Sequence, residues 1–512
     1  MRFRARTVGL SAAAVIAMGV VLPGGTTAAT AAASCAGTGG FDFNGDGVRD
    51  TAVADPEATV GGVVGAGLVR VVLGGGKGVL EISQATAGMP ATPEAHDQFG
   101  QSLTTLDYDQ DGCTDLAIGT PLEDVTSADG VPHVDAGAVY VVRGAPTGLG
   151  AVSGWSQSSF DPAATAESYD WFGWSLQGGN TAAGEPYLAV GAPGEGVITD
   201  GVNHPAAGCI QYRVGTTTVN IDQDDPNVPG IAEENDRFGY SLGGTNRYLA
   251  VGAPGEAIGD LEFAGGVTVF SQTPTDGRPT PLAGIDQDTA GVTGVPEAGD
   301  GFGSSISMTY LRPSDETYNS DAALVVGIPG EDIGTTTDAG SIAVLQVDPQ
   351  GALHEINSID RDTADVEGDP TQGDHFGFNV TVQNQDTSVV TTADTARIAV
   401  GVPGDDSAAA DGGAVQVFSM LGTPGTGDRI LTRGGLLPGT AHARDYVGMS
   451  VGSSASTLFV GIPYSKAGGE EAGTAAYLNW ATAWSGSGTT YPIQPGSGGV
   501  PAAGTAFGRV MR

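Results

Sequence analysis

Asp170-Trp171-Phe172-Gly173-Trp174-Ser175-Leu176 and, a little further on, Val190-Gly191-Ala192-Pro193 are the two halves of a phrase that returns along the whole chain. The first half recurs as Asp97-Gln98-Phe99-Gly100, Asp236-Arg237-Phe238-Gly239, Asp300-Gly301-Phe302-Gly303 and Asp374-His375-Phe376-Gly377, with Asp445-Tyr446-Val447-Gly448 as a weaker copy. The second recurs as an apolar run ending in Gly-x-Pro at Pro121, Pro254, Pro329, Pro403 and Pro463. A third apolar segment follows small residues, as in Ala136-Gly137-Ala138-Val139-Tyr140-Val141-Val142, and a fourth is signalled by Ile221-Asp222-Gln223-Asp224, Ile285-Asp286-Gln287-Asp288 and Ile359-Asp360-Arg361-Asp362. Short strands in repeats of about 60 to 75 residues, with no helical periodicity, are the blades of a β-propeller. Alternating apolar positions such as Val267, Val269 and Val415, Val417 suit strands whose faces pack between blades.

The two ends set the blade count. The first unit has Val53-Ala54-Asp55-Pro56 but no Phe-Gly before it, and Thr505-Ala506-Phe507-Gly508-Arg509-Val510-Met511-Arg512 is a Phe-Gly strand with no blade after it. Together they complete one blade, which leaves no unpaired ring edge. The expected fold is all-β, a seven-bladed propeller closed by its C-terminal strand. Its blades lie near 36–90 plus 505–512, 91–160, 161–228, 229–290, 291–365, 366–436 and 437–500, within one domain over 34–512.

Phe-Gly followed by Gly-Ala-Pro in units of this length resembles the FG-GAP repeats of the integrin α-subunit N-terminal propeller, over essentially the whole mature chain. The resemblance implies calcium loops on the lower face and ligand-binding loops on the upper face. The sequence departs from that pattern, and a stand-alone, secreted bacterial form is expected, without leg domains, membrane span or inserted metal-dependent ligand domain.

Two segments carry ligand chemistry. Asp42-Phe43-Asn44-Gly45-Asp46-Gly47-Val48-Arg49-Asp50 and Asp107-Tyr108-Asp109-Gln110-Asp111-Gly112-Cys113-Thr114-Asp115 each place side-chain oxygens at positions 1, 3, 5 and 9. Calcium requires six to eight oxygens, and this alternation with Gly at position 6 turns side chains and one carbonyl toward a common centre. The predicted ligands are Asp42, Asn44, Asp46, the Val48 carbonyl and Asp50 in the first loop, and Asp107, Asp109, Asp111, the Cys113 carbonyl and Asp115 in the second. Neither loop has the Glu at position 12 or the following helix of an EF-hand. The competing reading is an Asx-rich turn that caps itself. Asp315 to Asp321 is at most a degenerate copy, so two Ca²⁺ sites are expected.

Met1 to Ala33 opens with Arg2, Arg4 and Arg6, continues with an apolar run from Val8 to Leu22 and ends in small residues, the order of a secretory signal peptide. No Leu stands three residues before Cys35, which argues against lipoprotein processing. No segment is long and apolar enough for a membrane span. The formal net charge of −39 disfavours nucleic acid and anionic membranes as partners. A secreted, extracellular monomer is expected. Export permits disulfides, and of Cys35, Cys113 and Cys209 the first two should lie near one another on the lower face, with Cys209 a buried thiol.

Gly239-Tyr240-Ser241-Leu242-Gly243 and Gly448-Met449-Ser450-Val451-Gly452 match the nucleophile-elbow pattern, but both fall on a repeated strand rather than a strand-to-helix turn. His96, His133, His204, His354, His375 and His442 are scattered without metal spacing. No catalytic constellation emerges. The Asp before each Phe-Gly and the acid after each Gly-x-Pro (Glu123, Glu195, Glu256, Glu331, Asp405) allow two readings: turn caps and blade links, or an acidic upper rim. The expected function is a calcium-stabilised recognition or adhesion module for an extracellular protein or glycan, with Trp171, Tyr240 and Tyr446 able to stack on sugars. The alternative is a secreted enzyme acting on polysaccharide or phosphoester substrates at a propeller face.

Overall fold

A computed structural model describes Cys35 and residues 40–127, 129–275, 277–467 and 470–512; the signal-peptide segment lies outside them. The described chain folds into seven four-stranded antiparallel sheets. Blade three is representative: its strands are Ser175–Asn180, Pro186–Ala192, Cys209–Val214 and Thr217–Ile221, paired in that order. The innermost strand of every blade is the one after Phe-Gly, and these inner strands line a central cavity of about 610 Å³.

The ring closes as the termini required. Val510–Met511 is the inner strand of the first blade and pairs with Thr51–Asp55, with Ala54 opposite Val510 and Val53 opposite Met511. Leu68–Leu73 and Gly78–Ile82 complete that sheet. Val53 and Met511 then pack with Phe459, Ala475 and Phe507, which joins the last blade to the first.

The repeated phrase is explained by contacts between blades. Phe99, Phe172, Phe238, Phe302, Phe376 and Phe507 are fully buried, as is Val447 in the weaker copy. Phe172 packs with Val139 and Val141 of the preceding blade and with Leu188 and Val190 of its own. Burying one such ring stabilises by about 1.5–3 kcal/mol. The Gly of Gly-x-Pro lies against the Gly of the next blade's Phe-Gly, so a Cβ on Gly191 would strike the Gly239 carbonyl. The small pair before the third strand has the same origin. Gly208, at φ 86, runs beside Phe238, and a side chain there would meet the Phe238 backbone. The sequence reads Phe-Gly and Gly-x-Pro because backbone passes backbone at these points with no room for a side chain.

Strand direction sorts the loops onto two faces. The connection from inner to second strand, which includes 107–114, lies at one end of each blade. The connection from second to third strand and the linker into the next blade share the other end, where Phe172 N donates to Ala136 O and Phe238 N to Ala207 O. These ends are called the lower and upper faces.

Candidate metal loops and the upper face

Both predicted loops lie on the lower face and touch each other. Asp42 N donates to Thr114 Oγ1 at 3.2 Å, and Thr114 N donates to Asp42 O at 3.1 Å. A Cys35–Cys113 disulfide, with Cα atoms 4.9 Å apart, fastens the segment before the first loop to the second. Cys209 is a buried free thiol.

In the second loop, ligand oxygens of Asp107, Asp109 and Asp115 all lie within 4.8 Å of one another. Asp107 Oδ1 is buried with no hydrogen-bond partner, and burial raises the Asp107 carboxyl above its usual range. Burial also raises Asp115 to about 7, although Gly144 N and Tyr108 N donate to its two oxygens at 2.8 Å. Crowded, desolvated carboxylates with an orphaned oxygen are a donor set suited to a hard cation. Asp111 Oδ1 accepts from Cys113 N and bends the loop. Arg143 Nε sits 2.9 Å from Asp109 Oδ2 at the edge of the group.

The first loop is built alike but is further along in satisfying itself. Asp42 accepts from Asp46 N and Gly47 N, Asp46 Oδ1 accepts from Val48 N, and Asp50 accepts from Phe43 N and Gly74 N. Lys77 Nζ is 2.7 Å from Asp46 Oδ2, and that hydrogen bond holds the Asp46 carboxyl below its usual range. A neighbouring ammonium was not foreseen from the loop pattern, because Lys77 arrives from another part of the blade. Asp321, at the end of the degenerate copy, is buried and accepts from Ser320 Oγ and Gln346 Nε2.

On the upper face the acids before Phe-Gly do not form a solvent-facing rim. Asp97, Asp170, Asp236, Asp300, Asp374 and Asp445 are all buried. Each accepts from the backbone N–H three residues earlier, such as Glu167 N to Asp170 at 2.5 Å and His442 N to Asp445 at 2.8 Å. The acids after Gly-x-Pro accept from the linker leaving the preceding blade: Gln157 donates to Glu195, Gln223 to Glu256 and Gln287 to Glu331. The reading as caps and blade links holds, because a carboxylate beside a tight turn finds unpaired N–H groups closer than water.

The residues flanking each capping Asp take the opposite part. In six linkers both neighbours have positive φ: His96 and Gln98, Tyr169 and Trp171, Asn235 and Arg237, Gly299 and Gly301, Gly373 and His375, Arg444 and Tyr446. None of the non-glycine members is buried. Trp171 and Trp174 have ring centroids 5.6 Å apart, and Trp174 and Tyr240 5.3 Å apart, an aromatic arc that includes Trp174 and Tyr240 of the cavity wall. Trp174 was not singled out from the sequence, although it holds the same position after Phe-Gly as Tyr240, because the repeat alone does not bring the two neighbouring blades' rings together. Tyr446 instead meets Tyr464 edge-on.

The nucleophile-elbow serine is structural. Ser241 Oγ donates to Gly303 O at 2.6 Å, as Ser175 Oγ does to Gly239 O and Ser102 Oγ to Gly173 O in the preceding blades.

The FG-GAP repeat family profile matches residues 99–142. Phosphatidylinositol-glycan-specific phospholipase D of Rattus norvegicus is 27% identical over 229 residues, 42% of this chain and 25% of that protein. Integrin alpha-PS5 of Drosophila melanogaster is 30% identical over 158 residues, 30% of this chain and 14% of that protein. The chain therefore spans a quarter or less of the length of these curated relatives. A solved candidate 6-phosphogluconolactonase of Bacteroides uniformis overlays with a TM-score of 0.45 at 12% identity, covering 90% of this chain and 99% of that one. The chain carries an FG-GAP repeat at residues 99–142, and its Phe-Gly and Gly-x-Pro elements meet between seven blades in the manner of an integrin-like FG-GAP propeller.

Proposed function

We propose that the protein is an extracellular, calcium-stabilised recognition module that binds a protein or glycan through its upper-face loops. The observation that carries this reading is the paired positive φ around each capping Asp. Left-handed backbone at non-glycine residues costs free energy and persists where the surroundings enforce it, often at sites of function. Here it turns a different set of side chains toward solvent in each linker, while the buried Asp between them holds the turn. Exposed large apolar residues concentrate on the same face, at Val64, Val131, Val134, Tyr169, Ile198, Val202, Ile231, Phe263 and Val295. The arc of Trp171, Trp174 and Tyr240 suits a sugar ring, and the exposed apolar side chains of the surrounding loops suit contact with a protein surface. The lower-face loops would hold calcium and remove the repulsion among their carboxylates.

The second reading is a secreted enzyme acting on polysaccharide or phosphoester substrates. It draws on relatives named phosphatidylinositol-glycan-specific phospholipase D, matched over only part of their length. Binding of the chain to glycan and extracellular-protein arrays, with millimolar calcium and again with chelator, separates the readings. Calcium-dependent capture of one ligand class is expected. Silence of a folded sample on both arrays, together with turnover of a phosphoester or polysaccharide, would replace the recognition reading with the enzymatic one.

A further inference from the structure

The blade junctions on the upper side carry a buried arrangement that ligand recognition does not use. Between blades five and six, Arg361 Nη1 lies 3.1 Å from Asp374 Oδ2 and 2.7 Å from Asp405 Oδ2, with all three side chains buried. The same two acid positions are filled in blades two to five by Asp97 and Glu123, Asp170 and Glu195, Asp236 and Glu256, and Asp300 and Glu331. In place of the guanidinium, those junctions have the neutral carboxamides of Gln84, Gln157, Gln223 and Gln287. Two buried acids and an arginine carry one net negative charge. Two buried acids and a glutamine carry two, unless a positive charge joins them.

Two further observations bear on what joins them. Each of the four glutamines is more than nine-tenths buried, and each has its Oε1 without a hydrogen-bond partner. The other end of the carboxamide meets the Glu at 2.5 Å for Gln157–Glu195, 2.5 Å for Gln223–Glu256 and 2.6 Å for Gln287–Glu331, and Gln84 contacts Glu123 in the same way. These separations are short for N–H···O and ordinary for O–H···O. The nitrogen and oxygen of a carboxamide exchange places by a half-turn. After that turn the oxygen accepts from a protonated Glu, and the orphaned acceptor has its partner.

We propose that these four junctions are proton-binding sites: each Asp/Glu pair of blades two to five holds one proton, delivered as a Glu O–H to the Gln carboxamide oxygen, where blade six uses the Arg361 guanidinium. The groups facing each pair would not supply the charge in another way. Glu94, Asp124 and the Tyr140 hydroxyl surround the first pair, and Glu167, Asp222 and the Cys209 thiol the second. Glu233 and Asp286 face the third, and Glu297, Asp332 and Asp360 the fourth. None of these is basic. Burial, as the leading cause, raises both acids of every pair: Glu123 to about 8, Glu256 and Glu331 to about 7, Asp236 to about 8, Asp97 and Asp300 to about 6, with Asp170 and Glu195 both raised, so the proton is shared within the pair. In the unfolded chain the same carboxyls ionise near 4. The folded state thus binds more protons between these values, so its stability is greatest below about pH 4 and declines as the pH rises from there until the folded carboxyls have ionised, near 7 to 8.

Melting of the whole chain between pH 5 and pH 8.5, in saturating calcium so that the lower-face loops stay neutralised, tests this. The melting temperature is expected to fall across that range. Glu256→Gln should remove about a quarter of the slope, since distant junctions act additively, and should melt above wild type at pH 8.5. Arg361→Gln should steepen the slope by creating a fifth such junction. The infrared stretch of protonated carboxyl groups should be present in the folded protein at pH 6, weaken in Glu256→Gln and vanish at high pH. A melting temperature independent of pH, or an unchanged slope in Glu256→Gln with no protonated-carboxyl band at pH 6, overturns the proposal. So does a stabilisation at pH 8.5 by added divalent cation that Glu256→Gln abolishes, because the positive charge would then be a metal.

Discussion

Lys77 and Asp46 form an ion pair at 2.7 Å inside the first candidate calcium loop, a contact with a counterpart in the second loop only at its edge, between Arg143 and Asp109 at 2.9 Å. An ammonium on a ligand oxygen competes with a bound cation. Lys77→Ala is therefore expected to tighten calcium binding at the first loop and leave the second unchanged. Calorimetric titration resolves the two, and equal affinities in wild type and Lys77→Ala would remove the competition.

The candidate calcium loops should contribute stability only when loaded. Extracellular sites of this type have Kd values of about 0.1–1 mM, so 10 mM calcium would stabilise by about 1.4–2.7 kcal/mol per site through mass action. Asp111→Ala should lose the share of the second loop, and Asp46→Ala should also lower the melting temperature in calcium. Chelator should bring wild type down toward both variants. Superimposable wild-type melting curves with and without chelator would rule out calcium as a structural element.

The Cys35–Cys113 disulfide spans 78 residues and fixes the start of the described chain against blade two. Closing a loop of that length restricts the unfolded chain, with a typical gain of about 2–4 kcal/mol. Cys35→Ser should lose that amount in denaturant unfolding. Reductant should destabilise wild type equally and leave Cys35→Ser unaffected.

Gly191 separates packing from propensity. A Cβ at Gly191 would strike the Gly239 carbonyl of the next blade, whereas Gly184, at φ 82, has open space around it. Gly184→Ala should cost about 1 kcal/mol for its backbone conformation, and Gly191→Ala should exceed about 4 kcal/mol or prevent folding. Comparable stabilities for the two variants would count against backbone contact as the source of the repeat.

Trp171 is the sharpest test of the upper face. Trp171→Ala should weaken capture of the partner by at least about 30-fold, in the range of an interface hot spot, with an unchanged melting temperature. Loss of binding with a parallel loss of stability would instead mark Trp171 as a scaffold residue.

Blade number, the closing strand and the places of the loops were legible in the chain itself. They depend on points where one backbone passes another, such as Gly191 against Gly239, and only glycine or a small residue is tolerated there, so each contact leaves a fixed letter in every repeat. The spacing of Asp107, Asp109 and Asp115 was readable for a different reason, since one short segment supplies the whole group. What tertiary structure decided is the partner of each side chain. Whether Asp170 faces solvent or a turn, whether Glu195 meets a glutamine or Asp405 an arginine, and whether Lys77 reaches Asp46 all depend on segments brought together from different parts of a blade or from neighbouring blades. The acids and glutamines recur with the repeat, but which of them meet is decided by long-range packing, and the spacing alone does not pair them.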